Sequence, residues 1–358
     1  MLLDLPSNRS EGWRWSDLSA LPELSQARPT GRVPEALPWI EGEEDGPRLL
    51  FVDGRLDEAR SRLEPLAIGD VRVETRHPLG RLAGRTGWSL KLGRDHSAPG
   101  LVQIVHVSTG AADHLAGEIR LDVDAQASVV ESFVGAGWAN RLTGITLFKG
   151  ARLMLNRRVL GDSGFVSLTD RAEIGEGASL IAATLALGGR DTRLDGEIEQ
   201  AGEGAYAEAV GALLARGRQR HDANLVVRHL VPSGTSRQVW RSVADDRSAC
   251  SVAARVEVAR HAQKTDGEQS LKGLLLARSA TINAKPELEI FADDVKCAHG
   301  ATVGELDRDS LFYLASRGVP EAEAKGLLTR AFVADAIDRA GEEKVRDAMH
   351  GDVEEWFG

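Results

Sequence analysis

Two cysteines in 358 residues, Cys250 and Cys297, are too few for a disulfide framework. No C-x-x-C is present, so the chain cannot build a structural zinc site unaided. Aromatics are also scarce: Phe, Trp and Tyr make 5% of the residues, which excludes a core dominated by rings. A formal net charge of −10 argues against a nucleic-acid binder, whose affinity comes largely from Lys and Arg neutralising phosphates. The longest nearly apolar run, 180–187, is far short of the ~20 residues that span a bilayer. The start, Met1-Leu-Leu-Asp-Leu-Pro, has neither the basic nor the apolar region of a signal peptide. These absences predict a cytoplasmic chain with reduced thiols, bound to neither membrane nor nucleic acid. Catalytic signatures are missing as well. There is no P-loop, no H-E-x-x-H and no G-x-S-x-G. The chain is therefore read as a non-enzyme.

Glycine, by contrast, is abundant: 38 residues, well above the usual ~7%. From about residue 48 to 304, short Val, Leu, Ile and Ala runs alternate with Gly and Asp. A weak motif, x-Ala-x-(aliphatic or small), recurs there. It begins at Gln126, Gly150, Gly177, Gly204, Asp222, Ser248, Ser279 and Gly300, spaced on average about 25 residues apart. Irregular repeats of this size without a 3.6-residue period predict a β-solenoid. A narrow solenoid also accounts for the composition, with small residues stacked at corners and Gly in turns of positive φ. A β-sandwich is the alternative on these grounds.

Two other stretches flank this one. Residues 1–47 hold Trp13, Trp15 and Trp39 among repeated prolines and read as a loosely packed arm, with a short helix capped by Ser16. Residues 305–358 read as a helical domain. Asp307 caps a first helix ended by Gly318, Pro320 opens a second ended by Gly341, and a third runs over 342–349. This region contains 13 acidic and 7 basic residues over 301–358, suiting it equally to docking a partner or to capping the solenoid.

The densest chemistry is Phe291-Ala-Asp-Asp-Val-Lys-Cys-Ala-His-Gly. If 293–299 is a strand, Asp293, Cys297 and His299 share one face, because side chains alternate. Thiolate and imidazole suit iron, zinc or copper(I). A closed site wants about four ligands, so this one is incomplete and would be transient or finished by another subunit.

The stretch 261–318 resembles the SufD branch of the SufB/SufD family, from the SUF iron–sulfur cluster assembly system. The resemblance is carried by Gln263-Lys-Thr-Asp, Leu274-Leu-Leu, Lys285-Pro-Glu-Leu-Glu-Ile, Ala292-Asp-Asp-Val-Lys-Cys-Ala-His-Gly-Ala-Thr-Val-Gly and Leu311-Phe-Tyr-Leu-Ala-Ser-Arg-Gly. Arg9-Ser-Glu-Gly-Trp-Arg-Trp-Ser-Asp-Leu is similar to a motif near the SufD N-terminus. His299-Gly-Ala-Thr-Val and Ser270-Leu-Lys-Gly depart from the SufB pattern.

This resemblance implies a mainly β fold: a right-handed parallel β-helix over 48–304, between a short N-terminal arm (1–47) and a C-terminal α-helical domain (305–358). It implies a scaffold subunit that pairs with SufB through the β-helix ends and docks the ATPase SufC. The SufC contact is expected at Leu311, Phe312, Tyr313 and Arg317. His299 and Cys297, with Asp293 as a weaker member, would lie at the SufB junction. There, iron or a nascent cluster would be held transiently as cargo, and no cofactor would be bound stably by this chain alone. Free β-helix edges would also permit a homodimer in isolation. The alternatives are a SufB-like chain that holds the cluster itself, or a β-helix enzyme acting on carbohydrate or acyl groups.

Overall fold

The computed structural model describes residues 3–161 and 163–358. The arm contains a 3₁₀ turn over Glu11–Trp13 and a short helix α1 (Leu21–Leu24). Strands β1 (Arg48–Val52), β2 (Arg55–Leu56), β3 (Leu66–Asp70) and β4 (Thr86–Leu92) lead into two long strands, β5 (Val102–Leu121) and β6 (Gln126–Leu147). Shorter strands then alternate: β7 (Arg152–Val159), β8 (Phe165–Ile174), β9 (Ser179–Ala186), β10 (Asp191–Gln200), β11 (Tyr206–Ala215) and β12 (Arg220–His229). The series ends with β13 (Thr235–Ala244), β14 (Ala249–Val258), β15 (Asp266–Leu275), β16 (Thr281–Ile290) and β17 (Lys296–Glu305).

From β6 onward each strand pairs in parallel with the strand two places away, so the chain winds as a parallel β-solenoid of about eight turns. One ladder runs through β4, the second halves of β5 and β6, then β8, β10, β12, β14 and β16. The other runs through β1, the first halves of β5 and β6, then β7, β9, β11, β13, β15 and β17. Coil length is not constant. Asp191 lies on Phe165, 26 residues earlier, whereas Thr281 lies on Ala249, 32 residues earlier.

The Gly-Ala repeat maps onto this only in part. Ala151, Ala178 and Ala205 are fully buried at equivalent corners, each N–H donating to the carbonyl three residues back. The fourth member of that stack is Ala125, not Ala127, and Ala223 sits on the opposite ladder. Glycine has its expected role at another corner. Gly135, Gly137 and Gly164 have φ of +88°, +115° and +96°, and a Cβ on nearby Gly161 would sit 2.7 Å from the Gly135 carbonyl.

Between the ladders, alternate residues such as Leu121, Ile145, Leu153, Ile174 and Leu180 form a continuous apolar core. It is interrupted by a buried ionic network. Arg157 donates Nε to Glu131 (2.8 Å) and pairs with Asp170, while His106 contacts Glu131 (3.2 Å) and Arg141 pairs with Asp113 (2.5 Å). Burial alone would raise the Glu131 carboxyl, but Arg157 and His106 outweigh it and hold it at about 2. Burial and Arg141 push His106 down to about 4.

Both outer faces are partly covered. Helices α2 (Arg308–Ser316), α3 (Glu321–Ile337) and α4 (Glu343–Phe357) follow the solenoid. Val333, Ile337, Val345, Met349 and Trp356 of α3 and α4 pack on Leu185, Val210, Leu214 and Val243 of the second ladder. Asp307 caps α2 as expected, accepting the Ser310 N–H at 2.9 Å, and Gly318 follows with φ of +83°. α4 continues past Met349 to Phe357 because Val353 and Trp356 are also buried. No helix among the described residues is long and apolar enough to cross a membrane.

The first part of the arm is not loosely packed. Trp13, Leu18 and Leu21 bury against Leu79, Trp138 and Phe165. Arg193 fastens the arm by donating to the Gly12 carbonyl (2.7 Å) and Ser16 Oγ (2.9 Å), with its guanidinium 4.3 Å from the Trp13 ring. Ser16 is therefore not a helix cap: its hydroxyl donates to Asp222 instead.

Candidate functional site: the open end of the solenoid

The two solenoid ends differ. At the first, β2 folds back antiparallel on β1 and β3 on β4, and Leu56, Leu66 and Trp88 close the interior. At the other, β16 pairs only with β14, and β17 only with β15, among the described residues. In β14 the inward residues Cys250, Val252, Ala254, Val256 and Val258 are buried. The register continues these columns in β16 as Ile282, Ala284, Pro286, Leu288 and Ile290. The inward Gly267, Gln269, Leu271 and Gly273 of β15 continue in β17 as Cys297, His299, Ala301 and Val303. The last coil thus turns an interior face to solvent: Ile290 is 39% and Val303 43% exposed. Each Å² of apolar surface left in water forgoes about 25 cal/mol, and each edge strand leaves backbone groups unpaired.

Cys297 and His299 stand two residues apart on that face. Cys297 is half-buried against Val256, Val258, Ala262 and Ala292. Burial pushes its thiol pKa up, Asp266 adds to this, and the Gly267 backbone opposes it. A thiol so placed stays protonated near neutrality and ligates only when a cation displaces the proton. His299 is exposed.

Asp293 does not join them. The strand begins at Lys296, and Asp293 sits exposed in the preceding bend. That bend is pinned from the coil before: Gln263 Oε1 accepts the Asp294 N–H (2.9 Å), and the Asp294 carbonyl accepts the Lys264 N–H (2.6 Å). Among the described residues no three His, Cys, Asp or Glu side chains form a metal-sized group. Cys250 is sealed in the core, its thiol pKa raised strongly by burial.

Beside the open end, α2 buries none of its residues. Phe312 is 76% and Tyr313 57% exposed, and the Arg317 guanidinium lies 5.3 Å from the Tyr313 ring centroid. Leu311 is half-buried. Leu327 of α3 adds another exposed apolar side chain.

The sequence reading missed the polar column beneath His299. Gln238, Gln269 and His299 are in register on the inner face of β13, β15 and β17. The signal was present as two glutamines and a histidine about one coil apart, but the coil length needed to align them was not.

The fold class is thus a parallel β-solenoid open at one end, with a cysteine and a histidine on its last inner row. The model for the SUF system Fe–S cluster assembly SufBD core domain matches residues 106–332, and the chain belongs to that family. It is 26% identical to the iron–sulfur cluster assembly protein SufD of Escherichia coli, covering 96% of this chain and 88% of that protein. A SufBD family protein of Synechocystis is also 26% identical, over 94% of this chain and 84% of its own length. The chloroplastic protein ABCI7 of Arabidopsis thaliana is 28% identical over 66% of this chain and 51% of its length.

Proposed function

We propose that this chain is a non-catalytic cytoplasmic scaffold of an iron–sulfur cluster assembly complex. It pairs with a SufB-type subunit through the uncapped end and docks a SufC-type ATPase on α2. The observation that carries the reading is the exposed inner row of β16 and β17, which a second solenoid would cover by continuing both ladders. Cys297 and His299 lie in that row, so a partner closing over them would complete a ligand set that this chain leaves short. Iron or a nascent cluster is then cargo at the junction. Phe312, Tyr313 and Arg317, with the half-buried Leu311, supply an apolar and cationic surface for the ATPase, whose motion the helices pass to the junction. The arm (1–47), solenoid (48–304) and helical region (305–358) act as latch, body and docking domain.

The test is co-expression with SufB- and SufC-type proteins, native mass determination and an iron assay, followed by His299→Ala. The reading expects a stable heterocomplex whose iron content falls in the variant. A complex that forms but loads iron normally without His299 contradicts the assigned site.

A further inference from the structure

We propose that Gln269 is a positioning residue that fixes the orientation and tautomer of His299; this rests on reading His299 as a ligand at the open end. Gln269 is 1% exposed, in β15 directly beneath His299. Its Nε2 donates to the Ala254 carbonyl at 2.8 Å. Because only the amide nitrogen can donate to a carbonyl oxygen, the orientation of the amide is fixed. Its Oε1 is therefore a buried acceptor, and it has no partner. Such an atom is costly to leave unsatisfied. The strand above is about 4.8 Å away and places His299 over it. The imidazole is the inward side chain on the open side of that column with an N–H to offer.

Gln238 repeats the arrangement one coil deeper, with Nε2 on the Arg255 carbonyl (3.1 Å) and Oε1 free. His299 is the last member of this column. Next to it, Gly267 leaves a gap in front of Cys297. A Cβ there would meet the Cys297 Sγ at 3.5 Å and Ser236 Oγ at 3.6 Å without clash. Nothing bulky wedges the two ligand side chains apart from below.

In the proposed arrangement the exposed imidazole turns inward and one ring N–H donates to Gln269 Oε1. That leaves the other ring nitrogen as a lone pair directed out of the solenoid end, the form that binds a first-row divalent cation of the Cys/His-preferring class. A buried partner of this kind raises metal affinity about 10–100-fold in metal sites generally.

The experiment titrates Co(II) into the complex of the full-length chain with a SufB-type subunit, read by its visible absorption, for the unaltered chain, Gln269→Met, Gln269→Glu, His299→Ala and the double variant Gln269→Met/His299→Ala. Selective ¹⁵N labelling of histidine reports the His299 tautomer, and thermal unfolding confirms that each variant folds. The proposal expects Gln269→Met to weaken Co(II) at least about tenfold and to mix the tautomers. Gln269→Glu, which keeps the acceptor, should retain affinity. The double variant should bind no worse than His299→Ala, since Gln269 acts through that ring. Wild-type affinity and tautomer in Gln269→Met, or a full further loss on adding it to His299→Ala, overturns the positioning role. Undiminished binding by His299→Ala overturns the reading of His299 as ligand, and no Co(II) binding by the unaltered complex overturns both.

Discussion

Acidification from pH 7 to pH 5 should cost this fold several kcal/mol, and the structure says which groups are responsible. His106, His221 and His229 are sealed inside the solenoid, and burial pushes each down to about 4; at His106 Arg141 adds to the effect, and Glu131 opposes it. Their unfolded value is about 6.5. Between those limits the unfolded chain binds protons that the folded chain refuses, so stability falls as pH falls from about 6.5 toward 4. Between pH 7 and pH 5 each histidine costs the fold about 2 kcal/mol. Asp191 works the other way: burial raises it to about 6, so the folded chain takes up its proton first and regains about 1 kcal/mol. Asp170 and Asp222, also raised by burial, oppose the loss in the same sense. The net is a loss on the order of 4 kcal/mol. The assay is urea unfolding at pH 7, 6 and 5, repeated for His221→Gln, which should flatten the slope. Equal or greater stability at pH 5, or a slope unchanged by that substitution, refutes the reasoning.

Gly211→Ala should destabilise the body by about 1–3 kcal/mol, because its Cβ would clash with the edge of the Trp240 ring; a lowered urea midpoint checks this. Arg193→Ala removes the buried partner of Asp195 (2.7 Å) and Asp222 (2.5 Å) and should cost about 3–5 kcal/mol. It should also free residues 3–24, detected as faster proteolysis of the arm. Phe312→Ala, at a largely exposed helix position, should leave the melting temperature unchanged while weakening ATPase capture in a pull-down.

The elements specified by adjacent residues were the most legible in the sequence. Asp307, Gly318 and Pro320 act within one turn of their own position, and the start of α2 and the break before α3 follow from them. The solenoid was legible as a class through its glycine and short apolar runs, but its register was not. Coils of unequal length let alanines from both ladders, such as Ala205 and Ala223, mimic one repeat. Cys297 and His299 do share a face, as alternation requires. Asp293 was misplaced because the bend holding it is fixed by Gln263 and Lys264 one coil away, a contact that no local pattern encodes. The docking of the arm was hidden for the same reason: Trp13 is held by Arg193, far along the chain.

A partner solenoid is proposed to dock at the uncapped end. Native mass determination of the chain co-expressed with a SufB-type subunit, with and without Val303→Asp, tests it most directly. Val303 is 43% exposed in the last inner row, so the aspartate should leave the lone chain folded while abolishing the heterocomplex mass. A heterocomplex that forms undiminished with Val303→Asp would contradict the account.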